Sequence, residues 1–285
     1  MKPAAFAYAR ARSVEHALDL LSERDGARVL AGGQSLMPAL NMRLDAPALL
    51  VDINSISGLD AVSRKNGAVE IGAMVRHAAA ERSALIAEHA PLIARAMPHI
   101  GHPAIRNRGT VGGSIALADP ATELPACLLA LGGEVDIAGS QGTRTVKADD
   151  FFKALFETAI GPHDLLTAIR VPAARQGMRY GFDEFARRHG DYAMVGLAAA
   201  ARADGAALVD VRLAFFGVGA TAMRARKAEA ALEGRGLDDA RVAQAVAALA
   251  HDLDPSDDIQ ASGATKRHLA GVLLRRVVRQ LAEQP

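Results

Sequence analysis

The alternation of hydrophobic and polar positions changes period several times along the 285-residue chain. Val14, Ala17, Leu18 and Leu21 recur at helical spacing behind Ser13, a residue type that caps helix N-termini, and Gly26 supplies a stop; "SVEHALDLLSERDG" therefore predicts an amphipathic helix. The short apolar runs "RVLA" and "ALLVDI" predict buried strands, with "SLMPALNMRL" between them as a short helix. This strand–helix–strand alternation favours an α/β layout at the N-terminus.

The period then shortens to two. "AVSRKNGAVEIGAMV" predicts a hairpin turning at Asn66-Gly67, "EVDIAGSQGTRTVKA" a second hairpin, and "DLLTAIRVP" a further strand. Between them "HAAAERSALIAEHAPLIARAMPHI" and "TELPACLLAL" are rich in helix formers, with Pro91 fitting the first turn of a second helix. From about Gln176 strands come first, "YAMVGLAAAARADGAALVDVRLAFFGVG" with a turn at Ala203-Asp204-Gly205, and two amphipathic helices follow, "LDDARVAQAVAALAHDL" and "TKRHLAGVLLRRVVRQLAEQ". Strands followed by helices mark a separate α+β domain. The division expected is 1–175, with subdomains of about 1–55 and 56–175, then 176–285.

Composition narrows the function classes. Half the residues are hydrophobic, and 33 Lys and Arg against 32 Asp and Glu leave a net charge of +1, which gives no support for a nucleic-acid partner. A single cysteine, Cys127, excludes an intrachain disulfide and any iron–sulfur cluster held by this chain's own thiolates. The N-terminal "MKPAAFAYARARS" lacks a continuous apolar core for a signal peptide, and no run reaches a membrane span, so the expected location is the cytoplasm.

Several patterns carry little. Gly217–Ala222 matches G-x-G-x-x-A, but its strand belongs to an expected hairpin and Asp238 and Asp239 fall in a loop, so a strand-to-helix turn is the better reading. His99 and His102 have no further ligand cluster, and no metal site is expected. "DLDPSDD" has Asp257 where a calcium loop needs glycine and Gly263 where it needs glutamate. No nucleophile elbow or Walker sequence occurs, and no catalytic acid or base is nominated.

Two glycine pairs remain, "VLAGGQSLMP" and "RGTVGGSIALADP". Adjacent glycines permit positive φ and expose successive N–H groups, a nest suited to phosphate, and Ser35, Thr110 and Ser114 add hydroxyls. Either pair alone is more often a tight turn; two together suit the two anionic groups of a diphosphate. Arg106 and Arg108 precede the second pair and read first as solvated charges.

"LAGGQSLMPALNMRL" and "IRNRGTVGGSIALADPATELPACLLAL" resemble the two signature stretches of the FAD-binding medium subunit of molybdenum hydroxylases, the group of the carbon monoxide dehydrogenase flavoprotein and the xanthine dehydrogenase flavin portion. "EFARRHGDYAMVGLAAA" and "DIQASGATKRHLAGVLLRRVV" resemble the entry to that family's C-terminal domain and its last helix. The resemblance spans essentially the whole chain. It implies an α+β protein: a two-subdomain FAD-binding domain of the vanillyl-alcohol-oxidase/PCMH type, followed by a small domain of antiparallel sheet plus helices.

It further implies that Ala31, Gly32, Gly33, Gln34 and Ser35, flanked by Val29, Leu30 and Leu36, form one wall of the FAD diphosphate site. Gly109, Thr110, Val111, Gly112, Gly113 and Ser114 form the other. Asp119 and Glu123 match positions on the ribityl and adenosine side, Ile100 an apolar position near the flavin, and Tyr192 an aromatic beside the isoalloxazine ring. From the residues alone, Tyr192 reads as core packing and Asp119 as a cap before a helix-opening Pro120. Thr265 stands where many relatives carry tyrosine.

By the same resemblance the protein is an electron-transfer subunit. Two 2Fe–2S clusters and a molybdenum cofactor would sit on a small and a large partner, in a heterotrimer that dimerises to a heterohexamer. Two other readings stay open: a self-sufficient FAD-dependent oxidoreductase, and a nucleotide-binding scaffold without flavin chemistry.

Overall fold

The computed structural model describes residues 1–284. Three strands, Ala7–Arg10, Ala27–Leu30 and Leu49–Asp52, form a parallel sheet with Leu49–Asp52 in the middle. All four residues of that middle strand are buried, which is why it reads as an unbroken apolar run. The helix Val14–Glu23 begins where the Ser13 hydroxyl accepts the His16 amide, and it packs Ala17 and Leu21 against Leu49, Val51 and Ile53. The edge strand Ala7–Arg10 escapes the sequence pattern because most of it is exposed.

The next lobe is a five-stranded antiparallel sheet ordered Val62–Lys65, Ala68–Gly72, Leu165–Pro172, Glu134–Gly139, Gly142–Lys147. Leu165–Pro172 lies between the two predicted hairpins and joins them. Asn66 and Gly67 both take positive φ, +51° and +75°, the signature of a two-residue type I′ turn. Three short helices follow, His77–Glu81, Ala84–His89 and Pro91–Ala96. The additional break comes from Ser83, whose hydroxyl accepts the Ile86 amide, while Pro91 takes the first-turn position expected of it. The helix Glu123–Leu131 is buried at every residue. Such a helix needs apolar side chains nearly all round, and the sequence supplies them at every position after Glu123.

The last sheet is antiparallel: Met178–Ala186, Ala193–Asp204, Ala207–Phe216 and the short Met223–Arg224. Alternate residues of its second strand serve two cores. Val195, Leu197, Ala199 and Ala201 face the helices Arg226–Leu232, Asp239–Ala248 and Gly263–Glu283. Ala198 and Ala200, with Phe182 and Phe216 from the neighbouring strands, join Leu92, Ile93, Leu124 and Leu128 instead. Both faces are covered from Ala193 to Ala201, so that stretch is apolar rather than alternating. The G-x-G-x-x-A stretch is a turn out of this antiparallel sheet, with Gly217 at φ +75° and its amide donating to the Pro120 carbonyl.

The acidic stretch before the last helix works as caps. Asp252 accepts the amides of Lys227 and Ala228, and Asp258 pairs with Lys266 at 2.7 Å. Thr265 is exposed, and its hydroxyl meets the Ser262 cap at 2.9 Å.

Candidate cofactor cleft

Each glycine pair leaves an element of a different lobe. The first follows the parallel strand Ala27–Leu30 and leads into the short helix Leu36–Asn41; the second lies within the first turn of the helix Val111–Leu117. The chain brings the first pair against the residues that lead into the second: a Cβ on Gly32 would overlap the Arg108 carbonyl oxygen and lie 2.9 Å from the Gly109 Cα. Only glycine at 32 permits that approach.

A cleft of about 800 Å³ opens beside this contact. Of the residues expected to hold cofactor, Val29, Ala31, Gly32, Gly33, Gln34, Ser35, Leu36, Ile100, Gly109, Thr110, Gly112, Gly113, Ser114, Glu123 and Tyr192 line it. Two do not. Leu30 instead lines an adjoining cleft with Arg10, Asp52, Arg76 and Arg108 on the far side of the first loop. Asp119 turns its carboxylate to the Ala121 amide at 3.0 Å, and its carbonyl accepts from Thr122. Helix formation therefore waits until Glu123, so Pro120 does not open the helix.

The two glycine pairs are not equivalent, which corrects the expectation of two positive-φ nests. In the first, Gly33 has φ +73°, and among the described residues no protein acceptor takes the amides of Gly33, Gln34, Ser35 or Leu36. Four free donors in one turn form an anion cradle. In the second, the amides of Val111 and Gly112 go to Val75 and Ala73, that of Gly113 to the Thr110 hydroxyl, and that of Ser114 to the Thr110 carbonyl. Nothing there is left to bind phosphate except side-chain hydroxyls and the positive end of the helix. Gly112 instead permits packing, since a Cβ would lie 2.6 Å from Ala73.

His77 was missed by the sequence reading. Buried at 3% exposure, it lines the cleft, places Nε2 3.1 Å from the Ser114 hydroxyl, and leaves Nδ1 without a partner. Burial lowers its pKa to about 4, with Arg106 and Arg76 adding to the effect, so the ring is neutral at pH 7. Glu123 is the opposite case: burial, with Glu184 and Asp119 nearby, lifts its pKa to about 8. A protonated Glu123 presents a hydroxyl donor to the cleft rather than a charge that repels phosphate.

Tyr192 is half exposed, so it is not a packed core residue, and burial together with Asp119 and Glu123 raises its pKa. Arg106 is a structural clamp, bound to Glu81 at 2.9 Å and to the carbonyl of Gly101 at 2.8 Å. The signal that could have found His77 was a lone histidine opening a short helix, which carries no chemistry until folding places it against Ser114.

Four free amides beside glycines whose places a Cβ would fill suit a diphosphate-bearing cofactor. The fold and cleft thus define a two-lobed dinucleotide-binding unit carrying a sheet-and-helix domain. Residues 4–174 match the family model of the FAD binding domain in molybdopterin dehydrogenase, and residues 180–281 that of the CO dehydrogenase flavoprotein C-terminal domain. The chain belongs to the family of FAD-binding medium subunits of molybdenum hydroxylases, which are oxidoreductases.

Among relatives, it is 41% identical to the 6-hydroxypseudooxynicotine dehydrogenase complex subunit alpha of Paenarthrobacter nicotinovorans, over 99% of this chain and 95% of that one. It is 35% identical to the carbon monoxide dehydrogenase medium chain of Afipia carboxidovorans, over 98% and 97%. The carbon monoxide dehydrogenase structure from Hydrogenophaga pseudoflava superposes with a TM-score of 0.97 at 34% identity, covering 99% of this chain and 98% of that one. Quinoline 2-oxidoreductase from Pseudomonas putida gives 0.94 at 36% identity, with 99% of each chain covered. Among the described residues no helix is long and apolar enough to cross a membrane.

Proposed function

We propose that this chain binds FAD in the cleft between its two lobes and passes electrons from 2Fe–2S clusters on a small partner subunit to an external acceptor. Substrate oxidation would take place at a molybdenum cofactor on a large partner subunit. The three chains would form a heterotrimer that dimerises to a heterohexamer in the cytoplasm. Bound FAD supplies the redox chemistry, accepting electrons singly and releasing them in pairs.

This chain's residues bind and orient. The free amides of Gly33 to Leu36 take one phosphate; the hydroxyls of Thr110 and Ser114 meet the other at the positive end of the Val111–Leu117 helix. His77 holds the Ser114 hydroxyl in place, and neutral Glu123 donates towards the sugar or ribityl chain. Ile100 and Tyr192 form the wall for the isoalloxazine ring, and Asp119 acts through its turn rather than by touching cofactor. The packing of Gly32 against Arg108 and Gly109, across the lobes, is the observation that carries this reading. A visible spectrum of the purified or FAD-reconstituted chain tests it: flavin absorbance at one FAD per chain supports it, and none under any condition refutes it. Co-purification of an iron–sulfur and a molybdenum subunit tests the partners.

A further inference from the structure

Two side chains outside the main cleft, Asn54 and Arg76, connect the first glycine loop to the lead-in of the second. Asn54 follows the middle strand of the first lobe, and its Nδ2 donates to the Ala31 carbonyl at 2.9 Å and to the Asp52 carboxylate at 2.6 Å. With two acceptors on that side, the amide turns its oxygen the other way. There Oδ1 accepts from the Arg76 guanidinium at 2.5 Å. Arg76 caps the helix His77–Glu81 of the second lobe, and its other terminal nitrogen donates to the Arg108 carbonyl. A continuous chain of hydrogen bonds thus runs from the residue before Gly32 to the residue before Gly109. Its base is fixed by Asp52, which is buried and also accepts from the Tyr8 hydroxyl at 2.5 Å and the Asn54 amide at 2.8 Å. At its far end, the Arg108 carbonyl is the same oxygen that leaves no room for a Cβ on Gly32.

We infer that Arg76, oriented by Asn54, is a positioning residue: it tethers the two lobes at the spacing that lets both loops meet one diphosphate, without touching the ligand. The inference rests on the FAD reading above. Asn54 and Arg76 line the adjoining cleft and not the main one, so they act through the backbone they hold. Glycine at 32 permits the close approach but supplies no attraction to keep it. Among the described residues no direct hydrogen bond joins residues 31–36 to residues 106–114, which leaves the Asn54–Arg76 pair as the polar link across the gap. The guanidinium suits this task because its rigid fork reaches two oxygens in fixed geometry. Without the tether only a fraction of chains hold the closed arrangement, and apparent affinity falls by that fraction.

The test titrates the full chain, stripped of flavin, with FAD by calorimetry, at a temperature where circular dichroism shows every variant folded. Arg76→Ala and Asn54→Ala are each expected to weaken FAD by about 10- to 100-fold, the scale of a hydrogen bond to a charged group. The double variant should lose no more than the larger single loss, because both changes cut one tether. Arg76→Lys keeps the charge but lacks the fork, and it does not restore affinity. Arg108→Ala keeps the carbonyl and stays within about twofold of the wild type, since the tether uses only that backbone oxygen. Simple attraction of positive charge to the diphosphate gives the reverse, recovery in Arg76→Lys and a large loss in Arg108→Ala, and either result overturns the inference. Additive losses in the double variant, or unchanged affinity in Arg76→Ala, overturn it as well. Urea unfolding of the flavin-free variants should show the same coupling between Arg76 and Asn54. A wild-type chain that binds no FAD therefore refutes the FAD reading, whereas missing coupling in unfolding refutes the tether.

Discussion

The two glycine pairs look alike in sequence and do different work in the fold. The first is a cradle: Gly33 adopts positive φ and the amides that follow have no protein partner. The second is a joint: each of its amides is already bonded, and Gly112 lets its helix sit against Ala73. The donors left without a protein acceptor are therefore backbone amides in one lobe, while the other offers side-chain hydroxyls. A glycine pair reports close approach, and only the hydrogen-bond partners tell whether ligand or protein does the approaching.

The largest effect expected is at the joint. Gly112→Val drives a branched side chain into Ala73, and a loss of about 3 kcal/mol or more in stability should appear in thermal or urea unfolding before any flavin is added. Gly33→Val should act differently. Its Cβ meets only Met37 and Leu30, at 3.2 and 3.4 Å, so the backbone strain costs about 1–3 kcal/mol, yet FAD retention should be abolished because the cradle can no longer form. Gly113→Val acts through the cap alone, since its Cβ lies 2.8 Å from the Thr110 hydroxyl that caps the helix; FAD retention should be lost together with the cap.

Smaller changes separate cradle from joint more finely. Ser114→Ala should lower FAD affinity about tenfold, the effect of one hydroxyl donor to a charged group, and cost about 1–3 kcal/mol of stability by stripping the buried His77 Nε2 of its partner. Thr110→Ala should cost about 1 kcal/mol of stability through the lost N-cap, and Thr110→Ser should recover it.

Protonation supplies a further contrast within the cleft. His77, depressed to about 4, contributes stability that is present above pH 6.5 and is lost as pH falls towards 4. Glu123, raised to about 8, acts with the opposite sign: the unfolded chain loses this proton near pH 4.5 and the folded chain keeps it, so stability declines between pH 4.5 and 8. Above pH 6.5 only the Glu123 effect remains. Urea unfolding of the flavin-free chain should show stability falling from pH 6.5 to 8, and Glu123→Gln should flatten that slope.

Periodicity read most of the architecture because most elements bury one clear face. The Asn66-Gly67 hairpin, the Ser13 cap and the helix whose residues after Glu123 are all apolar were legible from local chemistry alone. The elements missed are those whose reason for existing is distant. Ala7–Arg10 is a mostly exposed edge strand held by its partner Leu49–Asp52, with Tyr8 donating to Asp52 at 2.5 Å. The Phe152–Thr158 hairpin depends on a φ that its sequence does not advertise. In the site, the glycine pairs were legible from the residues themselves, whereas Glu123 and Tyr192 came from the family resemblance. His77 required knowing that Ser114 would fold against it. Asp119 shows the converse, a residue in the right motif whose carboxylate is used by its own turn.

The central claim is that both pairs serve one diphosphate. Titration of the flavin-free chain with FAD, for the wild type, Gly33→Val, Ser114→Ala and the double variant, tests it most directly. The account requires one FAD per wild-type chain, none retained by Gly33→Val, and no further loss when Ser114→Ala is added to it. Stoichiometric FAD in Gly33→Val would contradict it.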